Sequence, residues 1–132
     1  MRYRGVFAVV FTLLADGAAA QEVDCSDPDT QMELTFCAQQ DWQAADAALN
    51  DMYKRAMVVL SQIDESEGAD QPYAMTYLRD AQRAWITFRD NACAAEGYRA
   101  HGGSMEPMLI YGCRARLTEQ RVQDLHLLTQ TY

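Results

Sequence analysis

Ala81-Gln82-Arg83-Ala84-Trp85-Ile86-Thr87-Phe88-Arg89-Asp90-Asn91-Ala92-Cys93 is the stretch whose reading decides the fold. It holds neither glycine nor proline and reads as helix. At about 100° per residue, Leu78, Ala81, Gln82, Trp85, Arg89, Ala92 and Cys93 share one face. A core face should not carry an amide and a guanidinium. Such a face is an active site, a binding surface, or a polar seam between helices, and the neighbouring segments must discriminate.

Working back from this helix, the polar, acidic segment Ser61–Gln71, with Gly68, reads as a loop, and Pro72 suits the first turn of the helix that follows it. That helix is expected over about Tyr73–Glu96. Before the loop, Asp27-Pro28 forms a turn and Thr30-Gln31-Met32-Glu33 a capping box. A long helix should then run to about Leu60. Its apolar stripe is Leu34, Ala38, Trp42, Ala45, Leu49, Met52, Tyr53, Ala56, Val59 and Leu60. Asp46 and Asn50 lie at one edge of the stripe and Cys37 at the other.

Working forward, His101-Gly102-Gly103-Ser104 is a loop. Ser104 or Glu106 is the expected cap of a third helix, with Pro107 in its first turn and an end near Leu128. Its inward face is Ile110, Arg114, Leu117, Thr118, Arg121, Leu125 and Leu128. No strand pattern competes. The fold class is therefore all-α: a small antiparallel bundle of about three long helices, stapled by two disulfides. In it Cys37, Cys93 and Cys113 fall towards one end, within reach of Cys25.

The chain has 132 residues, enough for one domain. Residues 1–20 read as an export signal: Arg2 and Arg4, an apolar run from Val6 to Leu14, and Ala18-Ala19-Ala20 as the cleavage site. That run is too short to span a membrane. Residues 21–132 are then the exported domain, periplasmic or secreted. Without the signal the basic count falls from 11 to 9 and the acidic count from 19 to 18, a net charge of 9 − 18 = −9. Such acidity argues against nucleic acid and anionic membrane as partners and favours a cationic protein. An oxidising compartment and four cysteines, Cys25, Cys37, Cys93 and Cys113, imply two disulfides. Proximity in sequence favours Cys25–Cys37 and Cys93–Cys113, with the crossed pairings open. The spacing has no C-x-x-C pair and does not suit zinc. No metal or cofactor is expected.

The polar residues now fit together. Arg89 and Gln82 on helix two, Asp46 and Asn50 on helix one, and Arg121 with Arg114 on helix three meet inside such a bundle. A buried arginine needs a carboxylate, because burial unpaired costs several kcal/mol. The set reads as a structural polar network that fixes register. Catalysis would need a nucleophile or a poised base in a cleft, which this set does not supply. Trp42 and Trp85 read as core. The glycines Gly102 and Gly103, with Ser104, read as a tight turn, and also as a narrow tip able to enter a partner's cleft. The acidic segment with Asp64, Glu65, Glu67 and Asp70 is the rival contact.

These residues carry a resemblance. Cys25, Thr30-Gln31-x-Glu33, Cys37-Ala38 and Ala45-Asp46-x-x-Leu49-Asn50-x-x-Tyr53 are similar to the first half of the LprI-like lysozyme-inhibitor domain. Leu78-x-x-Ala81-Gln82-x-Ala84-Trp85-Ile86-x-Phe88-Arg89-Asp90, Cys93, Gly102-Gly103-Ser104, Cys113 and Leu117-Thr118-x-x-Arg121 resemble the second half. The likeness covers about Asp24 to Leu128. It implies an exported, non-enzymatic helical protein that binds a c-type lysozyme, the muramidase that cuts peptidoglycan, and blocks it. The alternative is an envelope protein-interaction or stress module without inhibitory activity.

Overall fold

The computed structural model describes residues 23–67 and 73–130. The proposed signal segment, Asp70 and Pro72 lie outside the described residues. The described residues form three helices, α1 (Gln31–Ser66), α2 (Ala74–Gly97) and α3 (Glu106–Leu127), with one 3-10 turn at Tyr98–Ala100. Among the described residues there is no strand, and no helix is long and apolar enough to cross a membrane.

The capping box forms as expected. The Glu33 amide donates to Thr30 Oγ1 at 3.2 Å, and Glu33 Oε2 accepts from the amides of Thr30 and Asp29, each at 2.9 Å. The far end of α1 differs from expectation. The helix runs on through Ser61–Ser66, which the polar composition marks as loop. Nothing before Gly68 breaks a helix, and Ile63 extends the stripe of Ala56, Val59 and Leu60 by one turn. The extension has a structural product. Asp64, in the last turn of α1, accepts from the amides of Ala74 (2.8 Å) and Met75 (3.2 Å) and so caps the start of α2. The expected cap of α3 is also corrected. Its N-cap is Met105, with no side-chain cap; neither Ser104 nor Glu106 plays that part.

α2 runs antiparallel to both neighbours, while α1 and α3 run parallel and pack along most of their length. At one end Gln31 Nε2 meets Met108 Sδ at 3.4 Å; at the other, Val59, Leu60 and Ile63 border Leu127 and Leu128. The apolar core is small. Leu49, Ala56, Leu78 and Leu125 form its buried centre, and Met52, Tyr53, Met57, Leu60, Trp85 and Val122 close round it. Ala81, Leu34 and Leu128, placed on inward faces by periodicity, are exposed at the margins. Both disulfides sit at the opposite end from this cluster: Cys25–Cys37 with Cα atoms 5.5 Å apart, and Cys93–Cys113 at 5.4 Å. A domain with so little core gains from such staples at about 2–4 kcal/mol each.

Candidate functional site

Between the disulfides and the apolar cluster lies a charged layer built around Arg89. α2 carries Arg89 inward, only 6% exposed. Its Nε donates to Asp90 Oδ1 at 3.0 Å, and its Nη1 donates to Asp46 Oδ1 on α1 at 3.2 Å. The same Nη1 reaches Thr118 Oγ1 on α3 at 3.5 Å, and Thr118 is fully buried. Asn50 Nδ2 donates to the other oxygen of Asp46 at 3.4 Å. One turn along, Arg121 Nε donates to Gln82 Oε1 at 3.0 Å. Asp46, Asn50, Gln82, Arg89 and Arg121 are thus brought together, and the helices cannot slide without breaking these bonds. Arg114 also approaches Asp90, with Nε 3.4 Å from Oδ1, a charge contact without hydrogen-bond geometry.

Reading the tryptophans as plain core missed half of this layer. Arg89 lies between them, its guanidinium carbon 5.6 Å from the Trp42 ring centroid and 5.2 Å from that of Trp85. Arg114 sits 4.8 Å from Trp42, and Arg121 6.0 Å from Trp85. Tyr111 stacks on Trp42 at 5.7 Å. The result is an alternating column, Arg114–Trp42–Arg89–Trp85–Arg121. Aromatic faces carry negative charge density, so they help to offset three guanidiniums served by two carboxylates. A sequence signal existed. Trp42 stands four residues before Asp46 and Trp85 four before Arg89, one helical turn in each case, so each ring shares a helix face with one member of the ion pair.

This layer contains no nucleophile beside a base. All four cysteines are in disulfides, and among the described residues no cluster could hold a metal ion. On one side the layer opens into a groove of about 550 Å³ between α1 and α2, the two helices that pack least closely. Arg79, Arg83 and Ile86 rim it from α2, and Asn50 and Tyr53 from α1.

The second region is the loop Tyr98–Met105, between the two cysteines of the Cys93–Cys113 bridge. Gly102 has φ +76°, a backbone conformation that suits glycine. Its N–H donates to Glu106 Oε2 at 2.8 Å, while Glu106 Oε1 lies 3.1 Å from His101 Nδ1. These contacts hold the Glu106 carboxyl below its ordinary pKa, the Gly102 N–H first and the His101 side chain second. Tyr98 stacks on His101 with centroids 4.3 Å apart. The Gly103 N–H donates to the Ala100 carbonyl at 2.9 Å. At the base, a side chain on Gly97 would collide with Ile110, so glycine is what lets α2 and α3 meet there. Gly102, Gly103 and Ser104 are all exposed at the tip. The acidic rival is not a free loop: Asp64 and Glu65 belong to α1, Glu67 is its C-cap, and Asp64 is occupied in capping α2.

Comparisons with known proteins agree with this architecture. The family described as lysozyme inhibitor LprI matches residues 24–125. The chain is 44% identical over 117 residues to a protein of Rhizobium meliloti (strain 1021) named "Uncharacterized protein R02472", covering 86% of this chain and 84% of the relative. It is 34% identical over 71 residues to "Uncharacterized protein YecT" of Escherichia coli (strain K12), covering 52% of this chain and 43% of that one. No solved structure matches the chain significantly. With four-fifths of its relative aligned and the family match running from the first disulfide to the last buried leucine, the chain belongs to the LprI family of lysozyme inhibitors.

Proposed function

We propose that this protein is an exported inhibitor that binds a c-type lysozyme and blocks its cleft with the glycine loop. Family membership is the observation that carries the reading. Three features support it. Two disulfides suit an oxidising compartment outside the cytoplasm, which in turn suits the signal-like residues 1–20. A net charge of −9 after signal removal draws a basic enzyme and raises the encounter rate. The loop tip is exposed, narrow and already ordered by Glu106 and the Tyr98–His101 stack, so little conformational entropy is lost on docking. The charged layer around Arg89 acts behind the loop as scaffold, with no role in chemistry.

The test is a turnover assay of c-type lysozyme with the oxidised domain, residues 21–132. Near-stoichiometric loss of muramidase activity is expected. Activity that is unchanged at a large excess of the domain overturns the reading and leaves the interaction-module function in its place.

A further inference from the structure

The groove between α1 and α2 has a chemistry that neither packing nor the proposed inhibition explains. It is lined by three guanidiniums, Arg79, Arg83 and Arg89, against one carboxylate, Asp46. That is the reverse of the molecule as a whole, in which acids outnumber bases 19 to 11. Arg79 and Arg83 are exposed and stand four apart on α2, where like charges repel and weaken a helix. Among the described residues neither forms an ion pair, although Asp80 is beside Arg79 in the chain. The single charge of Asp46 is already paired with Arg89, so Arg79 and Arg83 remain in excess.

The floor of the groove is the second observation. Gln82 is 8% exposed, and its Oε1 accepts from Arg121. Among the described residues its Nε2 donates to nothing. Arg89 uses Nε and Nη1 on Asp90, Asp46 and Thr118 and leaves Nη2 without a partner among the described residues. Both residues line the groove. Two nine-tenths-buried side chains that line a basic-rimmed cleft therefore each keep an N–H donor unused among the described residues. Tyr53 and Ile86 supply aromatic and apolar walls.

We infer that this groove is a binding site for a carboxylate, with Arg79 and Arg83 clasping it from the rim and the Gln82 and Arg89 donors holding it from the floor. Planar guanidinium forks match a carboxylate's two oxygens. A groove of about 550 Å³ takes the end of a short peptide or a sugar acid, either of which presents the group. The site is separate from the glycine loop, and the inference does not rest on lysozyme inhibition.

The experiment is amide chemical-shift titration of the oxidised domain with four probes: trialanine with a free C-terminus, trialanine amide, glucuronic acid and glucose. A carboxylate-bearing probe should shift α1 and α2 resonances around Asn50, Gln82 and Arg83, and its counterpart without the carboxylate should not. Response to trialanine alone assigns a peptide end, to glucuronic acid alone a sugar acid, and to both the carboxylate itself. Arg79→Ala/Arg83→Ala should melt like the parent and bind about tenfold or more weakly, as expected for losing charge-assisted contacts. Gln82→Glu keeps an acceptor for Arg121 and should also weaken binding, by setting a negative charge at the floor. Equal shifts from probes with and without the carboxylate, shifts confined to the glycine loop, no shifts at all, or full affinity in the double variant would each overturn the assignment.

Discussion

The charged layer and the glycine loop are both polar and both ordered, but they are made in opposite ways. Arg89 reaches Asp46 across 43 residues of chain and Thr118 across 29, and Arg121 reaches Gln82 across 39. The loop closes on itself: Gly102 and His101 meet Glu106 over four and five residues. The layer exists only when three helices have docked, so its bonds report on the global fold. The loop inherits its shape from local bonds and a nearby disulfide. Substitutions in the first region should therefore be read in stability, and substitutions at the tip of the second in binding.

Arg89→Ala should show the largest effect. It leaves Asp46 and Asp90 without their shared counter-ion and removes the centre of the tryptophan column. A loss of about 3 kcal/mol or more is expected by urea denaturation. Arg89→Lys should recover little of it, since an ammonium cannot donate to Asp46, Asp90 and Thr118 while lying between two rings. A variant that melts like the parent yet no longer binds a partner would turn the layer into a recognition surface and erase the contrast.

Removing the Cys93–Cys113 bridge joins the two regions. Cys93→Ala/Cys113→Ala frees a segment of 20 residues' separation and should cost about 3 kcal/mol through the unfolded chain's regained freedom. Hydrogen exchange should rise first in Tyr98–Met105, next to the lost bridge, and only later in the Arg89 layer. Simultaneous loosening of both would mean that the layer too depends on the bridge.

How far this contrast was legible beforehand follows from the same physics. Thr30 and Glu33 stand three apart, so their box is readable from sequence, as are the helix count and the two short-range disulfides. The polar members Asp46, Asn50, Gln82, Arg89 and Arg121 were readable too, because an arginine on an apolar face demands a carboxylate; the part of Trp42 and Trp85 was not. The order of the column was not, since it depends on how deep each helix docks. Nor was the end of α1 readable. Ser61–Ser66 has the composition of a loop, and the contacts that hold its last turn, Ile63 beside Leu127 and Leu128 and Asp64 on the amides of Ala74 and Met75, exist only once the helices have docked.

A smaller effect on stability, and a larger one on function, is expected at the tip. A side chain at Gly103 meets the Ala100 carbonyl at 3.1 Å, a tight contact at an exposed site. Gly103→Val should thus cost about 1 kcal/mol. If the loop enters the lysozyme cleft, inhibition falls far more than that. The comparison is a charge reversal at Glu65 and Glu67, with Asp64 left intact because it caps α2. Should the reversal abolish inhibition and Gly103→Val spare it, the contact lies at the α1 terminus instead. Salt separates the two modes as well: exposed charges are screened over about 8–10 Å at physiological ionic strength, while a shape-driven insertion loses less.

The smallest effect is a pH dependence confined to the loop. Glu106 is held below its ordinary value of 4.5 by the Gly102 N–H and by His101. A carboxyl with a depressed pKa in the folded state contributes order that is complete above the unfolded value and is lost as pH falls through the folded one. The clamp should therefore stay closed from neutral pH down to about 4.5 and loosen as pH falls below it. Amide exchange of Gly102 against that of Thr118 measures this directly. Glu106→Gln keeps an acceptor but removes the charge, so it should raise Gly102 exchange at neutral pH and flatten its acid dependence. If Gly102 in that variant still loosens below 4.5 as in the parent, the titrating group is elsewhere. The other carboxyls held low at this end are then the candidates: Glu33, bound to the Thr30 and Asp29 amides in the α1 cap, and Asp24, bound to the Ser26 amide and hydroxyl.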